Sequence, residues 1–541
     1  GDLACSVGTM TGEGNTVVGH YSGADLAAGT YNTFVGLESG ANVTSGDFNT
    51  SLGCTALKNG TVTGDENVAI GHDSGYAVSS GAYNTMAGGF SGAALTTGSS
   101  NTLLGYRAMY RATTAADSNV AIGYESMSGN WTTADVNNCV SIGRNSLSAT
   151  LTSEVSGTTM IGAESGVMIT TGIGNTGIGY QSLAGGAADS GTGTDYNVAI
   201  GYQAAKAVSG NSNGNIVIGY QAMESATEND RNVVIGYRAG ASFSSGEDGN
   251  ILIGYSAGSG IRNGDTQESV IIGKESGTGG AGGSIARSVA IGAFSLQSTA
   301  GNAASDVIAI GHKALKSMTT GSQNTCVGFL SGEDITTHSA NTFLGYHAGL
   351  NVAGDHNTCI GASAGDLIIS GEENICIGSN TDPSANDTDN AIVIGFNISG
   401  GGNVVTIGKA GNVLTNNFTS GSSWAQSSDE RLKTDIKDDT LGLDFIKELK
   451  TKTFKWKPSN EVPKELTEHY SEENNMDTDV VMHGMIAQEV KEALDKAGVS
   501  TFGGWSEKSD GSQDISREMF VIPLIKAVQE LSAKVTELEN K

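Results

Sequence analysis

Apolar residues return along this chain with two different periods. From Asn15 to Gly408 a short strand-like alternation recurs about every 17 residues. It reads Asn-Thr/Val-x-Ile/Val-Gly, then x-x-Ala/Ser-Gly/Leu/Met, then a polar stretch. In the unit Asn67-Val68-Ala69-Ile70-Gly71, successive side chains of a strand point to opposite faces. Val68 and Ile70 therefore share one face and Ala69 takes the other. The residue before the glycine is Ile, Val or Leu in every unit except the one with Ala87. That uniformity predicts that the Val68/Ile70 face lines the interior of a coil. The opposite face carries Val17, Phe34, Leu103, Val234 and Cys359 in other units. It is too apolar for solvent and predicts a partner sheet outside the monomer. A homotrimer about a threefold axis supplies one. A unit this short cannot enclose a core of its own, so each must stack on the next as a solenoid.

The polar positions are as regular as the apolar ones. Asn opens 16 of the 23 units, which is too often for a loop residue without a role. Stacked Asn side chains can hydrogen-bond from turn to turn. The glycine serves a corner where a side chain would clash or φ must be positive. Small residues three positions later (Ser22, Ser39, Ala56, Ser74, Ser91, Ala108) predict a second close-packed corner. Unit length varies in the polar stretch, as between Gly179 and Gly201, which fits surface insertions. With one unit per turn and about 4.8 Å between strands, the repeats span on the order of 110 Å.

Beyond Ser427 the short period vanishes. Residues 442–450 place Leu443, Ile446 and Leu449 at helical spacing. Residues 453–457 alternate like a strand. Residues 483–497 read as a helix with Ile486, Val490 and Leu494 on one face. Leu524, Val528, Leu531, Val535 and Leu538 alternate spacings of four and three, the seam of a coiled coil. The domain reading is a partial repeat at 1–14, the shaft at 15–420, a junction at 421–427 and a second domain at 428–541. The fold class is mainly β: a parallel β-roll or β-helix solenoid, homotrimeric, then a small α+β domain ending in a coiled-coil helix.

Composition narrows the function. The net charge of −28 repels a phosphate backbone and anionic headgroups, which argues against nucleic acid and membrane surfaces. No apolar run reaches the roughly 18 residues of a membrane span. Of the six cysteines none forms a Cys-x-x-Cys pair, which disfavours zinc. Cys326, Cys359 and Cys376 stand where other units carry Ala69, Ala121 and Ala199, and read as small rung residues with Cys359 and Cys376 on adjacent turns. Free thiols fit folding in a reducing bacterial cytoplasm. The calcium-binding nonapeptide is missing, so no metal and no cofactor is expected. The sequence opens inside repeat-like residues Ser6-Val7-Gly8 and reads as a fragment, which leaves a signal peptide undecided.

Two stretches carry a resemblance. Asn67 to Gly71 and Asn197 to Gly201 resemble the Asn-x-Val-Ala-Ile-Gly units of trimeric autotransporter adhesin heads, which form parallel β-rolls in a trimer; the units here are longer. Ser428-Asp429-Glu430-Arg431-Leu432-Lys433-Thr434-Asp435-Ile436 resembles the opening signature of the C-terminal intramolecular chaperone of phage tailspikes and tail fibres. Phe454-Lys455-Trp456, the block from His483 to Val490 and the block from Leu524 to Leu531 match its later motifs in order. Such domains trimerise, guide folding of a β-rich shaft and then cut themselves off.

The resemblance implies a serine–lysine dyad, with Ser428 attacking the carbonyl of Ser427 and Lys433 as base, releasing 428–541. A serine hydroxyl needs a base to become a nucleophile. A lysine can be that base when burial favours its neutral form. Lys433 lies five residues after Ser428, a distance that a turn or short helix can close. Asp429 and Arg431 are expected to organise that turn. His483 is a candidate to orient groups at the site, and equally a packed or capping histidine.

The leading expectation is a phage tail fibre: a virion appendage contacting other tail proteins and a host surface receptor, a glycan among the candidates. Two alternatives stand beside it, a polysaccharide-degrading tailspike and a bacterial trimeric surface adhesin. Three near-identical repeat chains can slip by one unit at little cost, so a detachable trimeric seed has a physical use.

Overall fold

The computed structural model describes residues 4–5, 10–113, 116–131, 136–151, 155–185, 194–210, 212–262, 266–279, 285–297, 304–419, 428–466, 469–474 and 476–541. The junction at 421–427, Ser427 within it, Ser6-Val7-Gly8 and part of the long unit between Gly179 and Gly201 lie outside these. The chain divides into two compact units, Gly1–Ser427 and Ser428–Lys541.

The first unit is a parallel solenoid. Its rungs are mostly three-residue strands; among the described residues they join one 24-stranded sheet, in which the parallel strands pair in register with the equivalent strand one turn on. Val198, Ile216, Val233, Ile251 and Val270 stand directly above one another. Sequence and fold share one period because every backbone donor at the rung finds its acceptor on a neighbouring turn: the Val233 N–H donates to the Asn250 carbonyl and the Gly236 N–H to the Ile218 carbonyl, both at 2.8 Å.

The asparagines form the expected ladder, inside the coil. The Asn215 Oδ1 accepts from both the Asn232 backbone N–H at 2.9 Å and its Nδ2 at 3.1 Å. The same Nδ2 donates to the Glu247 carbonyl at 2.7 Å. All three groups of the amide are thus used, as a fully buried polar side chain requires. Where serine replaces asparagine the line continues, with Ser269 Oγ accepting the Ser288 N–H at 3.2 Å.

The rung glycine is demanded twice over. Gly236 has φ 141°, open only to glycine, and a Cβ there would lie 2.2 Å from the Gly254 carbonyl oxygen. Two residues on, ordinary side chains adopt the left-handed conformation: Gln221, Arg238 and Ser256 have φ between 51° and 53°. Each costs about 1–2 kcal/mol. The ladder offsets it, since the N–H of each bonds the tyrosine carbonyl of the preceding turn at 2.8 Å.

The interior face is the reverse of the expectation. Ala69, at the middle of its strand, is fully buried, whereas Ile70 is 40 % exposed. The same holds along the coil: Phe34, Met86, Leu103, Val234 and Phe343 are all fully buried mid-strand residues. The physical reason is that the interior is narrow, and its occupants change from turn to turn with what faces them. The mid-strand residue faces the position four beyond the glycine. Phe34 faces Gly40 and Phe343 faces Gly349, where a Cβ would come within 2.7 Å and 2.4 Å of the ring. Ser51 and Ser141 instead accompany the buried Leu57 and Leu147. At these turns a large side chain at one position stands against a small one at the other. The uniform Val/Ile face lies outside. The apolar surplus that called for a partner therefore exists, on the other side of the strand.

The serines and alanines three past the glycine are fully buried as expected, Ser22, Ser39, Ser74 and Ser91 among them. The six cysteines are free; Cys359 and Cys376 are register partners on adjacent turns. Cys326, Cys359 and Cys376 are buried mid-strand as expected, while Cys139 stands in the asparagine line, where burial pushes its thiol up to about 11. The last parallel strand, Val404–Lys409, is followed by an antiparallel one, Asn412–Asn417.

Among its described residues the second unit holds three α-helices: α1 (Leu443–Glu448), α2 (Ala487–Lys496) and α3 (Val521–Glu539). Leu441, Phe445, Val490, Leu494 and Phe520 form its core. Strand Lys452–Phe454 pairs antiparallel with Met482–Gly484. The predicted helix over 483–497 thus begins later, and His483 belongs to a strand. Its partner there is Thr453, and pairing with a preformed strand outweighs local helical spacing. α3 buries Pro523 and Ala527, while all five seam residues point outward, Val528 with 60 % exposure.

Candidate functional site

The second unit opens on a single 3-10 turn, Glu430–Leu432. Asp429 is its N-cap, accepting the Arg431 backbone N–H at 2.9 Å. The Arg431 guanidinium closes on the same carboxylate through Nε at 3.0 Å and Nη2 at 2.6 Å. This charge-assisted fork holds the Asp429 carboxyl below the usual carboxylate range. The Lys433 N–H then bonds the Glu430 carbonyl at 3.0 Å, which turns the chain back on itself.

The result is that Lys433 Nζ donates to Ser428 Oγ at 2.6 Å. With the amine neutral the same contact runs the other way, the hydroxyl donating to Nζ. A hydroxyl already hydrogen-bonded to an amine is the ground state of base-assisted nucleophilic attack. Both residues are exposed in the single chain, as are Leu432 and Ile436 beside them.

Four of the sequence-derived site residues therefore come together: Ser428, Asp429, Arg431 and Lys433. Ser427 lies outside the described residues. His483 is exposed on its strand, and among the described residues no hydrogen bond or ion pair links it to the dyad. Two features escaped the sequence reading. Glu489 draws Lys450 at 3.7 Å and Lys452 at 3.4 Å, tying α2 to the strand next to α1. Glu530 of α3 reaches the N-terminus of α1. No spacing rule joins residues so far apart in sequence, although both glutamates sit inside the quoted motif blocks.

Residues 428–499 match the family model described as chaperone of endosialidase, Peptidase S74. The match starts at the dyad serine and takes in α1 and α2. No curated protein and no solved structure matches the chain. The chaperone unit and the β-solenoid before it fit a phage tail fibre or tailspike-like protein carrying a C-terminal intramolecular chaperone.

Proposed function

We propose that this chain is a trimeric virion appendage whose C-terminal unit aligns three copies, seeds the solenoid and then cuts itself off before Ser428. The contact between Lys433 Nζ and Ser428 Oγ at 2.6 Å carries the reading. Lys433 takes the hydroxyl proton as Oγ attacks the Ser427 carbonyl carbon. The C–N bond to Ser428 breaks, and the lysine returns the proton to the leaving amine. Water then hydrolyses the ester, freeing the Ser427 carboxylate and restoring the hydroxyl. Neutral lysine is favoured by burial. A neighbouring copy packed on exposed Leu432 and Ile436 would provide it.

The outward seam of α3 supports assembly through that helix. Two heptads are marginal alone and gain stability when packed with copies. The free cysteines fit folding in the host cytoplasm before the particle is complete. The appendage would join other tail proteins and meet a host receptor.

Denaturing gels of wild type beside Ser428→Ala and Lys433→Ala test the reading. Wild type is expected to yield a shaft band and a 428–541 fragment, and both variants to remain full length. Equal processing of all three removes the dyad.

A further inference from the structure

We propose that Asn59 is a site of spontaneous deamidation, at which the solenoid turns an amide into a mixture of aspartate and isoaspartate, while the fold shields the like pair Asn213-Gly214. Neither cleavage nor assembly enters into it: the reaction needs one turn of one chain.

The chemistry is intramolecular. The glycine backbone nitrogen gives up its proton and bonds to the asparagine Cγ. The Cγ–Nδ2 bond breaks and ammonia leaves. Water then opens the five-membered succinimide at either carbonyl. One product is aspartate. The other is isoaspartate, whose main chain runs through Cβ and is one atom longer. Glycine favours the step because it has no side chain to crowd the ring. Two things are required: a glycine nitrogen without another bond, and an amide free to turn onto it.

Among the described residues the chain has four Asn-Gly or Asp-Gly pairs, and three are held shut. The Gly214 N–H donates to the Asp195 carbonyl at 3.0 Å, and the Asn213 Oδ1 accepts the Asp195 N–H at 2.9 Å. The Gly249 N–H donates to the Asp230 carbonyl at 2.9 Å, and the Asp248 Oδ1 accepts the Asp230 N–H at 2.7 Å. The Gly511 N–H donates to the Lys508 carbonyl at 3.0 Å, and the Asp510 Oδ1 accepts the Ser512 N–H at 2.9 Å. Asn263-Gly264 lies outside the described residues. The rung asparagines are spared as well, being buried, bonded through their amides and followed by branched residues, as in Asn232-Val233.

Asn59 differs on both counts. It is exposed, and among the described residues no hydrogen bond holds its amide or the Gly60 N–H. The bonds to neighbouring turns stand on either side, Asn59 N–H to the Tyr76 carbonyl at 2.8 Å and Val62 N–H to the Asn42 carbonyl at 3.0 Å. Steric demand keeps the labile pair in place: a Cβ on Gly60 would lie 2.3 Å from the Val78 carbonyl oxygen. Conversion puts a carboxylate next to Lys58, which already pairs with Glu38 at 2.5 Å. In isoaspartate it also lengthens the backbone between the bonds at Asn59 and Val62.

Purified full-length chain, incubated in mildly alkaline buffer either folded or in denaturant, tests this by peptide mapping with mass spectrometry. Both peptides lie in the first unit, so processing at Ser428 does not affect the comparison. In the folded chain the Asn59 peptide is expected to gain the amide-to-acid mass shift about tenfold faster than the Asn213 peptide, which must first break its hydrogen bonds. It should also become a substrate for an isoaspartyl methyltransferase. In denaturant the two peptides should convert alike. Asn59→Gln, which would have to close a larger ring, is expected to remove the signal. An Asn59 that stays intact, equal rates in the folded chain, or a contrast that persists in denaturant overturns the inference. Conversion to aspartate without isoaspartate overturns the succinimide route.

Discussion

Glu530 on α3 caps α1, a helix 87 residues away: its Oε2 accepts the Leu443 backbone N–H at 2.8 Å. The N-cap residue of α1, Gly442, has no side chain to do this. A Cβ on Gly442 would lie 2.3 Å from the same carboxylate. The glycine and the glutamate are therefore one device. Glu530→Ala is expected to destabilise the second unit by about 1 kcal/mol, the usual worth of a cap. Gly442→Ala should cost more, and the double variant less than the sum. Denaturant unfolding in a Ser428→Ala background measures all three.

The rung glycines differ sharply from loop glycines. Gly236→Ala forces a Cβ against the Gly254 carbonyl at φ 141°, and is expected to cost about 3 kcal/mol or more. Gly157→Ala has φ 63° and nothing within 4 Å, so about 1 kcal/mol is expected. Thermal unfolding of the two variants side by side checks the contrast.

Within the asparagine ladder, Asn232→Leu removes the side-chain acceptor of the buried Asn250 N–H. One buried donor left unpaired predicts a loss of about 1–3 kcal/mol. Asn232→Ser should lose less, because Ser269 and Ser288 already carry the same line. Melting temperatures of the two variants give the ranking.

Asp382 predicts a pH dependence. It is buried where other turns place Gly, Leu or Met, and accepts the Leu367 N–H at 3.1 Å. Burial raises its carboxyl from 3.8 to about 6. The folded state thus holds a proton that the unfolded chain gives up. The stabilising contribution is complete below about pH 4 and is lost as pH rises through about 6. Asp382→Asn is expected to flatten the pH profile of thermal stability across this window and to raise the melting temperature at neutral pH. An unchanged profile counts against the assignment.

At the dyad, Lys433→Arg keeps the charge but removes the base, since a guanidinium does not give up its proton. No cleavage is expected at any pH. Asp429→Ala or Arg431→Ala loosens the turn without touching the chemistry, so slower but complete processing is expected. A time course on denaturing gels separates loss from delay.

Much of the solenoid was legible because its rules repeat. Asn at the rung start, the clash-bound glycine and the small corner residue each follow from hydrogen bonding or sterics within one turn. The face of the strand was misread for an equally physical reason. Constancy at Ile70 looked like burial, whereas the true interior varies because Phe34 and Gly40, or Ser51 and Leu57, trade volume. The link between Ser428 and Lys433 was legible only through resemblance, since a five-residue spacing says nothing alone. His483 was assigned to a helix because its strand partner, Thr453, lies 30 residues earlier.

The final reversal at Asn412–Asn417 has its own effect. A stack of identical parallel rungs would otherwise end on a bare edge able to accept the first rung of another molecule. The antiparallel strand Asn412–Asn417 takes up that edge instead, so Val404–Lys409 is paired on both sides. The hairpin thus turns the chain back on its own last rung and closes the parallel stack with its own backbone.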